Sequence, residues 1–189
     1  MSKPPISTRD RIIEAAGKLF HRDGIRAVSV DAVAAKAGLT KRTIYYHFRS
    51  KDDLIAAYLQ TRDQPNVAIF QRWFAEAEGD TADKVKAIFS HLADNARNPR
   101  WKGCGFLRTS FELMNLPGHP AIQAGRAHKK RTEDWLFGLF LQDRPEPTAR
   151  ALARQIVLLI DGAFSVVLLN RDASYMETAG EAAAQLIRR

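Results

Sequence analysis

The stretch "TKRTIYYHFRSK" (40–51) gathers Lys41, Arg42, Arg49 and Lys51 around Tyr45, Tyr46 and His47. These residue types suit contact with a polyanion better than covalent chemistry. A guanidinium can pair with guanine through two parallel hydrogen bonds. A tyrosine ring packs on a thymine methyl or a sugar while its hydroxyl reaches a phosphate. Taken singly, each has a plainer reading: a lone Lys or Arg is a solvated charge, and a lone Tyr packs. Together on one short helix they point to a nucleic-acid duplex. His47 is not read as a metal ligand, because no second His or Cys stands at ligand spacing, and neither metal nor cofactor is expected.

Such a helix must be held by others. Ile12, Ala15, Ala16, Leu19 and Phe20 fall at helical spacing and predict a first helix over 7–22, ended by Gly24. Ser29 is a good N-cap for a short second helix that stops at Gly38. Thr40 caps a third, 41–47, and Ser50 with Asp53 opens a fourth. Two helices joined by a tight turn at Gly38 form a helix-turn-helix, whose second helix enters a major groove. Ile44 and Phe48, four apart, face inward beside Leu39, which leaves Lys41, Arg42, Tyr45 and Tyr46 on other faces. By reach, Lys41 and Arg42 meet base edges and Thr43 touches a phosphate or a methyl group. Tyr46 and His47 point to the flanking backbone. Lys51 and Ser29 stand at helix starts, where free N–H groups favour phosphate.

The rest of the chain is also helical in period. Pro65, Gly79, Pro99, Pro117 and "RPEP" (144–147) divide it into helices near 66–77, 81–97, 104–115, 119–141, 147–170 and 174–188. The fold class is therefore all-α. The first fifty residues are too few for a substantial core of their own, so they are expected to pack on the fourth helix, the mechanical connection between the two parts. The 189 residues carry a formal charge of +8, and residues 1–64 hold 12 Lys+Arg against 7 Asp+Glu. The basic excess is densest around the helix-turn-helix, as an anionic partner there requires. One cysteine, Cys104, excludes an internal disulfide framework and fits a reducing cytoplasm. "MSKPPISTRD" lacks a signal core, and "IVLLIDGAFSVVLL" (156–169), interrupted by Asp161, is read as a buried helix too short to span a membrane. HExxH, GxSxG and a phosphate-binding glycine loop are all absent, which leaves no basis for an enzyme.

Residues 8–55, "TRDRIIEAAGKLFHRDGIRAVSVDAVAAKAGLTKRTIYYHFRSKDDLI", resemble the DNA-binding region of TetR-family transcriptional regulators. The likeness rests on "I..AA..LF...G", a Ser or Thr opening the second helix, "A..AGLT" and "TIYYHF..K..LI". It implies an N-terminal three-helix DNA-binding domain with a helix-turn-helix (1–50) and a C-terminal helical bundle for ligand binding and dimerisation (51–189). It also implies a homodimer on a palindromic double-stranded operator, and a repressor released by a small-molecule inducer, with activators also found in the family. By position, Thr40, Lys41, Arg42, Thr43, Tyr45, Tyr46, His47 and Lys51 match the family's DNA contacts. Arg42 departs from the Gly or small residue frequent there, so an operator sequence does not carry over.

Downstream, "GCGFLRTSFELMN" (103–115) is similar to a stretch that borders the ligand pocket in one TetR subgroup. Phe106, Arg108, Thr109, Phe111, Glu112, Met114 and Asn115 are then ligand candidates, with Phe70, Trp73, Phe74 and Trp135 as apolar partners, although each aromatic taken alone reads as core. Cys104 at a helix start could sense redox or electrophiles, and a small buried residue is the simpler reading. The helix at 147–170 is apolar around most of its circumference and needs cover on more than one side. The resemblance implies that it and the last helix, about 147–188, form the dimer interface.

Overall fold

The computed structural model describes residues 6–189, so the first half of "MSKPPISTRD" lies outside the described residues. Ser7 caps α1 (Thr8–Asp23) by accepting from the Asp10 N–H, and Gly24 ends it at φ 83°. The Ser29 hydroxyl accepts from the Ala32 N–H to start α2 (Val30–Ala37). Gly38 then turns left-handed (φ 65°, ψ 40°), a conformation strained for any residue with a Cβ. Thr40 accepts from the Thr43 N–H and starts α3 (Lys41–His47). The Ser50 hydroxyl accepts from the Asp53 N–H at the start of α4 (Lys51–Glu76).

Here the structure departs from the expected pattern. Pro65 does not begin a new helix near 66; it lies inside α4, which runs unbroken for 26 residues. An interior proline costs about 3 kcal/mol. Buried Asp63, Val67 and Phe70 on either side of it supply the packing that offsets that cost. Then follow α5 (Thr81–Ala96), opened by an Asp80–Asp83 capping box, and α6 (Gly105–Glu112). α6 ends three residues short of the expected 115. Its last turn tightens as the Leu113 N–H is shared between the Thr109 and Ser110 carbonyls, and Pro117 forbids continuation. The remaining helices are α7 (Pro120–Phe140), α8 (Glu146–Asn170) and α9 (Ser174–Arg188). There is no strand among the described residues.

The chain packs as two compact units. The first takes the residues through Asp63 together with Gly105–Arg126, and the second takes Gln64–Cys104 and Ala127–Arg189. This division by packing differs from the functional boundary expected at residue 50, because the first unit includes the start of α4 and all of α6. The first unit buries Ile12, Phe20, Ile44, Leu54, Leu59 and Phe106 to 3% exposure or less. Each contributes about 1.5–3 kcal/mol by leaving water.

In the second unit α9 lies along α5. Gly180 allows the approach, since a Cβ there would sit 2.8 Å from the Phe89 Cβ. Arg97 with Glu177, Lys86 with Glu181 and Arg188 with Asp80 and Asp83 line the same seam. α8 buries Ala149, Leu152, Ala153, Ile156, Ile160, Ala163, Phe164 and Val167. Its 25 residues are long and apolar enough to cross a bilayer, so the expectation that it is too short is corrected; only 39% of its most apolar window is buried. Asp161, awkward on such a helix, is paired with Lys129 of α7.

Candidate nucleic-acid interface

α3 is anchored from beneath. Ile44 is 1% exposed and Phe48, its C-cap, 4%. The other face is open: Tyr46 is 85% exposed and Tyr45 48%, and Lys41 and Arg42 are also exposed. The amines and rings singled out by their spacing therefore point away from the first unit's core. The Tyr46 ring meets His47 edge-on at 5.1 Å, which steadies the half-buried imidazole. Thr40 and Thr43 share a hydroxyl hydrogen bond of 2.9 Å, so the cap also orients Thr43. Ser29 is exposed while its hydroxyl caps α2.

The cations differ in how freely they are held. Lys41 Nζ lies 2.9 Å from the Asp31 carboxylate, and that hydrogen bond and charge raise its pKa above the ordinary lysine value. Lys51 donates from Nζ to the Arg26 carbonyl at 3.3 Å. Partial burial pushes Lys51 down, against the smaller upward pull of the Asp52 and Glu112 charges.

Several supporting residues carry no local sequence signal. Arg11 donates to the Ala37 carbonyl at 2.9 Å, tying α1 to the end of α2. The Arg9 guanidinium stacks 5.1 Å above the Phe48 ring. Glu112 Oε2 accepts from the Arg26 N–H at 3.0 Å, and Arg108 donates to the His21 carbonyl at 3.3 Å, so α6 grips the α1–α2 turn. His119 Nδ1 accepts from the Ala121 N–H, which assigns the ring proton to Nε2. Nε2 lies 3.2 Å from Asp52 Oδ1 without the alignment of a hydrogen bond.

The ligand candidates are distributed between the units. Phe106 and Thr109 are buried in the first unit, and Phe111, Met114 and Asn115 are exposed. Arg108, Thr109 and Glu112 border a cavity of about 10 Å³, room for at most one water. A larger open cleft of about 530 Å³ between α1 and α4 is lined by Ile13, Gly17, Tyr58 and Arg62 and by none of the ligand candidates. In the second unit Phe70 and Trp73 pack at 5.9 Å, Trp73 stacks on His91 at 4.9 Å, and Phe74 meets Trp135 edge-on at 5.9 Å. Cys104 is half-buried just before α6.

A capped helix-turn-helix with an exposed cationic, tyrosine-bearing second helix, in an otherwise helical chain, defines a DNA-binding transcriptional regulator. Comparison with known proteins agrees. The family described as "Bacterial regulatory proteins, tetR family" matches residues 12–58. The crystal structure of a TetR-family transcriptional regulator from Streptomyces coelicolor superposes with a TM-score of 0.82 at 30% identity, covering 96% of this chain and 94% of that one. The HTH-type transcriptional regulator YjdC of Escherichia coli (strain K12) is 24% identical over 181 residues, 95% of this chain and 93% of that protein. The HTH-type transcriptional regulator SrpR of Pseudomonas putida is 40% identical over 58 residues, 31% of this chain and 27% of that protein. The chain belongs to the TetR family. That family is one of transcriptional regulators, not enzymes.

Proposed function

We propose that the protein is a homodimeric repressor whose two α3 helices read the half-sites of a palindromic operator and which leaves DNA when a small molecule binds its C-terminal part. One observation carries this reading: Ile44 and Phe48 are sealed beneath α3 while Tyr45, Tyr46, Lys41 and Arg42 stand exposed above them. Lys41, Arg42, Thr43 and Tyr45 contact bases, and Ser29, Thr40, Tyr46, His47 and Lys51 fix the register on phosphates. Residues 1–50 are the reading domain, and 51–189 serve ligand binding and dimerisation. The site of action is the cytoplasm, where the operator is.

Dimerisation through about 147–188 is supported by the outer faces of α8 and α9. Leu158 is 71% exposed and Leu169 81%, Tyr175 also stands out, and Gly162 has open space beside it. A large apolar side chain left so exposed on a long helix favours burial against a second copy. The aromatic set Phe70, Trp73, Phe74 and Trp135 supplies the ligand's apolar surface. Arg108 and Glu112 hold the α1–α2 turn within the first unit. A ligand that prefers one shape of the chain by about 1–3 kcal/mol lowers DNA affinity about 5–150-fold.

The test compares operator with non-specific duplex. Arg42→Ala and Tyr45→Ala are expected to weaken operator binding far more than non-specific binding. An equal fall on both would remove base readout by α3. Sedimentation without DNA should give a dimer, and a monomer at micromolar concentration would remove the role assigned to α8 and α9.

A further inference from the structure

We infer that Arg9 and Arg49 form a second phosphate-binding edge of the DNA interface at the C-terminal end of α3, with the Phe48 ring as the platform that holds Arg9. This rests on the reading of α3 as the recognition helix and extends it to a helix, α1, that the motif does not implicate.

Four observations converge. Arg9 and Arg49 are exposed and adjoin the same residue, Phe48: one stacks 5.1 Å above its ring and the other follows it in the chain. Among the described residues neither forms an ion pair, whereas Lys18, Arg22 and Lys41 of the same unit are paired with Glu14, Asp23 and Asp31. Phe48 is itself fixed, 4% exposed with its N–H bonded to the Ile44 carbonyl. α3 has seven residues. At 1.5 Å per residue it is about 10 Å long, so Phe48, with Arg9 over its ring and Arg49 next in the chain, lies at the opposite end of α3 from Lys41 and Arg42.

Chemistry then assigns the partner. A guanidinium laid on an aromatic face keeps its N–H donors free at its edge and has few rotamers left to lose. Cations that flank one residue and have no carboxylate partner are open to an anion. The major groove is about 12 Å wide and bordered by phosphates on both sides. A recognition helix about 10 Å long that brings Lys41 and Arg42 to bases therefore carries its far end toward a bordering strand. Arg9 and Arg49 contact phosphate oxygens there. Their effect is on affinity and register, not on base preference.

The experiment measures binding of the full-length protein to a fluorescent duplex bearing a selected operator, and to a scrambled duplex, across a series of salt concentrations. Arg9→Ala and Arg49→Ala should each lower affinity on both duplexes. Each should also make the log affinity against log salt plot shallower by about 0.9 per cation lost from each reading head. Phe48→Leu keeps an apolar plug and removes the ring face. It should weaken binding in the parent and have clearly less effect in the Arg9→Ala background, with circular dichroism confirming the fold. Unchanged slopes for both arginine variants, while Arg42→Ala still abolishes operator preference, would overturn this inference alone. If Arg42→Ala leaves operator preference intact, the recognition-helix reading falls and this inference falls with it.

Discussion

The ion pair between Lys41 and Asp31 makes an unusual demand on the interface. Lys41 stands at the first position of α3, yet its ammonium is held 2.9 Å from a carboxylate on α2, with the two side chains 52% and 66% exposed. To meet a base or phosphate, Lys41 must leave Asp31. Replacing Asp31 with Asn removes the competitor and one negative charge facing DNA, so Asp31→Asn should tighten operator binding. An exposed pair of this kind changes an equilibrium constant by at most about fivefold. Two reading heads engaging together then give a gain of up to about 25-fold, and a few-fold gain is the minimum expected. Anisotropy titrations at low and high salt provide the assay, because the gain must shrink as screening weakens the original pair. Thermal melts check that α2, which loses an acidic first-turn residue, remains folded. Unchanged affinity would mean that Lys41 does not contact DNA. Weaker binding would mean that Asp31 holds Lys41 in its working position, which reverses the assigned role of the pair.

Other expected outcomes follow from the packing. Glu112→Ala removes the carboxylate that accepts from the Arg26 N–H; at this partly wet position it should cost about 1 kcal/mol. Melting and faster amide exchange at Arg26 would register the loss, and unchanged exchange would deny the grip of α6 on the turn. Gly180→Ala drives a methyl to within 2.8 Å of the Phe89 Cβ and should destabilise the α5–α9 seam by about 1–3 kcal/mol; a variant as stable as the parent would show that the helices can separate cheaply. The Asp80 carboxyl is held below its ordinary range, first by the Asp83 backbone N–H and then by Arg188. A depressed carboxyl stabilises the fold above its unfolded value, about pH 4, and loses that contribution as pH falls through the folded value. Melting temperature should therefore fall less between pH 4 and pH 2 in Asp80→Asn than in the parent, and identical slopes would contradict the assignment.

The reading unit is legible in the sequence because its signals are local. Ser7, Ser29 and Thr40 cap the helices that follow them, and Gly24 and Gly38 end α1 and α2 with positive φ. The Ile44–Phe48 spacing identified the buried face of α3, and the exposed face followed from it. Where tertiary packing overrides local preference, the sequence misleads. Pro65 reads as a helix boundary, and α4 passes through it because buried neighbours on both sides hold the helix. By contrast, α8, expected over 147–170, runs from Glu146 to Asn170, because the proline-rich turn before it is a local signal. The contacts that brace the site are long-range and have no periodicity to find them by. Glu112 meets Arg26 across 86 residues, Arg108 meets His21 across 87, and Arg9 meets the ring of Phe48. Arg108 and Glu112 were picked out as polar residues beside a ligand, whereas in the structure their side chains brace the α1–α2 turn.

Selection of genomic DNA fragments by the purified protein, run in parallel with Arg42→Ala and Tyr45→Ala, probes the claim that the open face of α3 reads sequence. The parent should enrich fragments sharing an inverted repeat with half-site centres about one helical turn apart, or a multiple of it, and both variants should lose that enrichment. Enrichment of no common sequence by the parent, or of the same sequence by all three proteins, would contradict it.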